Sequence, residues 1–433
     1  MSSLFREARS RAADFAAVVQ ELCRRGETDL ERVEPAVQRI VKDVRREGDA
    51  ALRRYIAEFE QRAPEQLLKA DYGGAEALAA LSSDVRDALI FAADRIRRYH
   101  ERQAESLTGF EYEEHGVQLG SRVSPLAHVG VYAPGGKARY PSSVLMSVIP
   151  ARVAGVERIT LASPDPGVEV RAACHLAGVS ALLDAGGAHA IAALAYGTES
   201  VARVDKIVGP GNIYVAAAKR LVFGEVAIDS IAGPSEILVV ADDSANPAII
   251  AADLLSQAEH DEAAYALLLC TSPRLVGAVR EQLEVQLAAL PRKQVAEKSL
   301  REHGQALVVS SRDELCRVAN QLAVEHVSIQ CEGARELADR ITRAGALFIG
   351  SATPEAAGDY VAGPSHVLPT GGAARYGAPL GVYDFVSRSS LISYDWDALA
   401  AQAAPITTLA RCEGLEAHAR AVDVRLASRR DGT

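Results

Sequence analysis

A chain of 433 residues is long enough for two or three domains of about 100–200 residues each. With 48% hydrophobic and 24% charged residues, it has the composition of a globular protein and not of a disordered one. Its 47 basic and 57 acidic residues give a formal net charge of −10, which excludes global attraction to nucleic acid or an anionic membrane. Charges are scattered through the first twenty or so residues, where a secretory signal would have an apolar block, and no apolar run reaches the roughly 18 residues of a membrane span. A cytoplasmic protein is expected. The six cysteines (Cys23, Cys174, Cys270, Cys316, Cys331, Cys412) include no CxxC pair, which argues against a zinc ribbon, a redox motif or a disulfide framework.

Taken in chain order, Ser2–Arg24, Ala36–Phe59 and Gly74–Gln103 are rich in Ala, Leu, Arg and Glu, with apolar spacings of three and four that predict helices. From Val123 short β-branched runs alternate with helical segments: Val129–Ala133, Arg158–Ala162, Ser180–Asp184, Lys206–Val208, Val226–Ile228 and Ile237–Ala241. A second series follows at Tyr265–Thr271, Gln305–Ser310, Val327–Gln330 and Ala346–Gly350, separated by helices such as Leu275–Leu290 and Arg312–Leu322. The recurrence predicts two α/β units with mostly parallel sheets, divided near Ala232–Ser235 or Asp242–Pro247. No G-x-G-x-x-G fingerprint is present, although glycines mark turns at Gly135-Gly136, Gly186-Gly187 and Gly209-Pro210-Gly211. After Gly350 the chain is loop-rich, then helical from Trp396 to about Ala427, with ASRRDGT as a basic tail.

Polar atoms suited to chemistry gather in four stretches. Leu254–His260 ends a helix entered through Asn246-Pro247, and Gln257 and His260 leave one edge of its apolar stripe. The others are Glu325-His326, Asp359 to His366, and Glu413 to His418. Each also has a plain structural explanation as a satisfied helix end, strand start, turn or solvated face. Two imidazoles, a carboxylate and an amide oxygen would suit zinc, but spacing alone does not group them.

Long ordered motifs supply that grouping. Tyr132–Met146 contains YAPGG and YPSSVLM, followed by GPGN at Gly209–Asn212, AGPSE at Ala232–Glu236, DLLSQAEHD at Asp253–Asp261, GDYVAGPSHVLPTGG at Gly358–Gly372 and EGLEAH at Glu413–His418. Through these motifs the chain resembles the histidinol dehydrogenase family over nearly its whole length. The resemblance implies a four-electron oxidation of L-histidinol to L-histidine through histidinaldehyde, with NAD+ and one zinc ion per subunit. Zinc ligands would be Gln257, His260, Asp359 and His418, the last from the partner subunit of an intertwined homodimer with a shared active site. Glu325 and His326 would be catalytic: His326 as base for the hydroxyl proton, Glu325 as activator of water for the second oxidation. Ser235, His366 and Glu413 match further substrate contacts, beside the four zinc ligands and His326. Tyr132, His189 and Asn212 match NAD+-contacting positions.

The implied fold is two incomplete Rossmann-like α/β domains with a helical N-terminal segment and a small C-terminal helical domain. Its divisions are 1–122, packing on the second α/β unit; 123–235, binding NAD+; 236–380, holding zinc and the catalytic pair; and 381–433, a helical dimerisation segment. The sequence departs from the family pattern at His189, where Gln is usual, at Val324, Ser365 and Ser351-Ala352. Ser365 and His189 leave an alternative substrate, a polyol or sulfonated diol, to be weighed against histidinol; a third reading, a zinc-stabilised dimer without catalysis, is disfavoured by the intact Glu325-His326 pair.

Overall fold

The computed structural model describes residues 4–25, 30–135 and 140–430. Gly136 of the first glycine turn and the last three residues of the basic tail lie outside them. Chain contacts define two units, Met1–Ala104 with Leu126–Phe385, and Glu105–Pro125 with Val386–Thr433. Among the described residues no helix is long and apolar enough to cross a membrane.

The larger unit holds both expected parallel sheets. The first runs Leu68–Lys69, Ala181–Leu183, Arg158–Ala162, His128–Tyr132, Lys206–Val208, Ala227–Ile228, parallel except for the short edge strand Leu68–Lys69. The second runs Arg6–Arg9, Gln305–Val308, Tyr265–Cys270, Glu236–Ala241, His326–Gln330, Ala346–Ile349 and is parallel throughout. Continuous apolar strands such as Glu236–Ala241 are buried along their length, because helices cover both faces. In each sheet the chain builds outward one way and then returns to build the other way. The reversals fall between His128–Tyr132 and Lys206–Val208, and between Glu236–Ala241 and His326–Gln330.

The N-terminal region departs from expectation in two respects. Within the predicted helix Ser2–Arg24, Arg6–Arg9 is a strand paired with Gln305–Val308, and the helix is confined to Phe15–Cys23. Phe5 and Ala8 are buried against the second sheet's two faces, so an extended chain covers an edge that a helix would leave open. The later helices pack on the first sheet's helical layers, and of the 236–380 span Ser83–Ala104 meets the loop after helix Glu355–Tyr360, where Arg95 Nε donates to the Val361 carbonyl at 3.3 Å. Val33, Val37, Ile40, Val41 and Val44 of helix Leu30–Glu47 share a core with Ile191, Leu194 and Ala217. Leu89, Ala92, Ala93 and Ile96 of helix Ser83–Ala104 share another with Leu145 and Ile149.

The smaller unit is not purely helical. Phe110–Glu114, Val117–Pro125 and Val386–Tyr394 form an antiparallel sheet, followed by helices Trp396–Cys412 and Glu416–Arg430. Val386–Tyr394 (VSRSSLISY) has no buried face and therefore no hydrophobic alternation to announce it. The single predicted C-terminal helix is interrupted at Gly414, whose φ of +74° ends the first of the two.

Candidate active site

The amino ends of two neighbouring inner strands of the second sheet carry a buried set of ionisable groups. Glu236 opens one strand and His326 opens its neighbour, with Glu325 immediately before it. The strand starts are cross-linked: the Glu236 N–H donates to Glu325 Oε2 at 2.8 Å, and the Glu325 N–H donates to Glu236 Oε2 at 3.3 Å. Behind them Arg25 Nη2 reaches Glu236 Oε2 at 2.8 Å, both side chains being wholly buried, and the Gly371 N–H donates to Glu236 Oε1 at 2.7 Å. Burial pushes the Glu236 carboxyl up, against the pull of Arg25.

His326 Nδ1 lies 3.0 Å from the Glu236 carbonyl oxygen. A carbonyl only accepts, so Nδ1 carries hydrogen and Nε2 is the nitrogen left to exchange a proton. The ring faces Glu325 Oε2 and Glu355 Oε1, each 3.5 Å from Nδ1, and Asp359 Oδ1, 4.0 Å from Nε2. Burial alone would lower its pKa; the carboxylates of Glu355, Glu325 and Asp359 outweigh it and raise the imidazole to about 10. Glu355 moves up to about 8, chiefly by burial, with His326 opposing and Asp359 adding to the rise.

Glu355 and Asp359 lie one turn apart on helix Glu355–Tyr360 and so share a face. That helix comes close because Gly358 has no side chain: a Cβ there would lie 2.7 Å from the Phe348 ring, which flanks His326. His366 Nδ1 donates to the Asp359 carbonyl oxygen at 3.0 Å, and burial is the main cause holding its imidazole below the ordinary value. Gln257, in the last turn of helix Pro247–Ala258, is buried with its amide nitrogen donating to Glu355 Oε1 at 2.7 Å and to the Glu236 carbonyl at 3.3 Å, the orientation that matches donors to acceptors.

The structure thus draws Glu325, His326, Asp359, His366 and Gln257 into one region. Ser235, half-buried, adjoins Glu236 and accepts from the Tyr265 N–H through its carbonyl. His260 is exposed in the turn after the Gln257 helix. Glu413 and His418 belong to the smaller unit, where both are exposed. Among the described residues no group of three or more His, Cys, Asp or Glu is drawn close enough to hold a metal ion. Glu355, Glu236 and Arg25 are the site residues that sequence reasoning did not nominate. The one signal for Glu355 is its spacing of four from Asp359.

Tyr132, His189 and Asn212 line a different place, a cavity of about 810 Å3 at the carboxyl ends of the first sheet, shared with Arg39, Glu60 and Tyr140. Gly209 lets the chain close on Tyr132: its φ is +111°, and a Cβ would lie 2.1 Å from the Tyr132 carbonyl oxygen. Asn212 Oδ1 caps helix Ile213–Val222 by accepting from the Tyr214 and Val215 N–H groups at 3.0 and 3.2 Å, which leaves its amide nitrogen for a ligand. The Tyr132 hydroxyl accepts from the Gly187 N–H at 3.1 Å. His189 is buried against the stacked rings of Tyr55 and Phe59, with Nε2 2.9 Å from Glu60 Oε1, so it orders the cavity wall through Glu60. Ser365 is likewise engaged in structure, donating its hydroxyl to the Met146 carbonyl at 3.0 Å.

Comparison with known proteins assigns the family. The family model for histidinol dehydrogenase matches residues 23–426. The chain is 49% identical to a histidinol dehydrogenase of Aquifex aeolicus over 94% of this chain and 96% of that one. It is 50% identical to one of Syntrophotalea carbinolica over 96% and 97%. The crystal structure of histidinol dehydrogenase from Elizabethkingia anophelis superposes with a TM-score of 0.92 at 33% identity, covering 99% of this chain and all of that one. The chain belongs to the histidinol dehydrogenase family of oxidoreductases.

Proposed function

We propose that this chain oxidises L-histidinol to L-histidine through L-histidinaldehyde with two NAD+, as a cytoplasmic zinc-dependent homodimer. The observation that carries this reading is His326, held by the Glu236 carbonyl so that Nε2 is its exchanging atom, within reach of the Glu325, Glu355 and Asp359 carboxylates. An alcohol oxidation needs a base at the hydroxyl, and Nε2 is that base. Histidinol carries a cationic amine. Its arrival beside the carboxylates offsets their field on His326 and brings the raised pKa back toward neutrality. Glu325 has one oxygen tied to the Glu236 N–H; the other deprotonates the water that must add to the aldehyde before the second oxidation.

Zinc fits the donor set. Among the described residues the four carboxylates Glu236, Glu325, Glu355 and Asp359 are faced by one arginine, Arg25, and two imidazoles, His326 and His366, and the Gln257 nitrogen is spent, so its oxygen is the edge offered to a cation. We assign the ligands as Gln257, His260 and Asp359 with His418 of a second copy. When bound, the ion would hold the substrate's amino and imidazole nitrogens in place. Ser235, His366 and Glu413 complete the substrate contacts, and NAD+ occupies the cavity of Tyr132 and Asn212, with His189 acting on its wall. The carboxylate excess disfavours an anionic diol as substrate.

Purified protein given zinc, NAD+ and L-histidinol should form two NADH per histidine. Turnover of other alcohols alone would favour the polyol or diol reading, and no turnover of any alcohol would contradict both.

A further inference from the structure

Glu355 is a carboxylate in an unusual position. It is 2% exposed, and among the described residues the cationic side chain within ion-pair distance is His326, 3.5 Å away. Burying a carboxylate without an arginine or lysine beside it costs free energy, and an apolar residue would serve packing better. Its contacts show what it does instead. Oε1 accepts the Gln257 amide N–H at 2.7 Å and stands 3.5 Å from His326 Nδ1, while Oε2 lies 3.3 Å from the Ser256 hydroxyl, which shares its hydrogen with the Asp253 carbonyl at 2.8 Å. Ser256 and Gln257 are consecutive in the last turn of helix Pro247–Ala258, so one side chain ties that turn to the start of strand His326–Gln330.

An amide has two edges of opposite character. With its nitrogen donating to Glu355 and to the Glu236 carbonyl, Gln257 keeps its oxygen for a cation; without those acceptors it could turn its N–H2 edge outward. The His326 ring has the same ambiguity between its nitrogens, and Glu355 reinforces the tautomer that the Glu236 carbonyl selects.

We propose that Glu355 is a positioning residue: one buried carboxylate sets which edge of Gln257 and which nitrogen of His326 face the substrate. This rests on the functional reading of Gln257 as a zinc ligand and His326 as the base.

The test uses full-length protein carrying Glu355→Leu or the isosteric Glu355→Gln, each alone and combined with Gln257→Ala. The zinc dissociation constant is measured by chelator competition without substrate, alongside kcat, KM for both substrates and thermal melting. Glu355→Leu should weaken zinc by about 10- to 100-fold, as loss of a residue orienting a ligand does. It should lower kcat more than KM for NAD+. Glu355→Gln keeps an acceptor oxygen and should fall between Leu and the parent, and it carries the test if the Leu variant does not fold. In the Gln257→Ala background neither change at 355 should weaken zinc further. Zinc affinity within twofold of the parent in both single variants would overturn the proposal, as would losses that multiply in the Gln257→Ala background. A parent enzyme that binds no zinc and oxidises no alcohol overturns the functional reading itself, and this proposal with it. A parent that does both, with variants equal to it, overturns the proposal alone.

Discussion

The first sheet presents Tyr132, Gly209 and Asn212 at the carboxyl ends of its strands, whereas the second presents Glu236, Glu325 and His326 at the amino ends. Both sheets have the same pattern of outward building and reversal, so topology alone does not decide which end is used. The helices decide it. Carboxyl ends of parallel strands meet the N-termini of the following helices, such as Gly187–Tyr196 and Ile213–Val222, whose positive dipole ends favour a phosphate-bearing ligand. Amino ends meet helix C-termini, such as the last turn of Pro247–Ala258, whose carbonyls favour cations. The loop through Ser365 and Thr370 touches both places: Ser365 donates to Met146 beside the first sheet, and Thr370 accepts from the Gly233 N–H beside the second.

If the amino-end cluster is the chemical centre, His326→Asn should produce the largest effect. Losing a general base lowers kcat by about 10²- to 10⁴-fold, and NAD+ affinity, read by equilibrium titration, should stay close to the parent's. An equal loss in NAD+ affinity would blur the division of labour between the sheets. Next comes the support behind the cluster. Arg25→Met leaves Glu236 buried without its partner and should cost about 3–5 kcal/mol, visible in denaturant unfolding. A cost near zero would mean that Arg25 does not hold the strand starts. On the other sheet, Gly209→Ala forces a Cβ onto the Tyr132 carbonyl at a positive φ and should cost about 1–3 kcal/mol. NAD+ binding should weaken while zinc binding, measured by chelator competition, is unchanged.

The smallest effect is in pH response, where the two regions should differ in sign. Burial raises the Glu60 carboxyl, but hydrogen bonds from His189 and Arg62 more than offset it, so its folded pKa lies below its ordinary 4.5. Its contribution is complete above pH 4.5 and is lost as pH falls through the lower folded value. His326 is raised from 6.5 to about 10, so its contribution in the ligand-free protein is complete below pH 6.5 and lost as pH rises through about 10. His189→Gln should therefore lower stability near neutral pH and flatten its fall at the acid side, and His326→Asn should flatten the alkaline side, in melting temperatures followed across pH. A variant that changes the opposite limb would contradict the assignment.

Much of this was legible in the chain. Continuous apolar strands such as Ile237–Ala241 and the cap-and-proline start at Asn246-Pro247 state their structure locally, and ordered motifs pointed to Glu325, His326 and Asp359 as one group. The strand Arg6–Arg9 was not legible, because its pairing partner lies some 300 residues away. Nor was Val386–Tyr394, an exposed polar strand. Glu355 escaped because a buried carboxylate and a solvated one look alike in sequence, and so did the pairing of His189 with Glu60, because Glu60 arrives from a distant helix.

The most direct test of this division is a crystal structure of the protein grown with NAD+. The account predicts coenzyme density in the cavity lined by Tyr132, Gly187 and Asn212, at the carboxyl ends of the first sheet. Coenzyme bound instead at the carboxyl ends of the second sheet, with that cavity vacant, would contradict it.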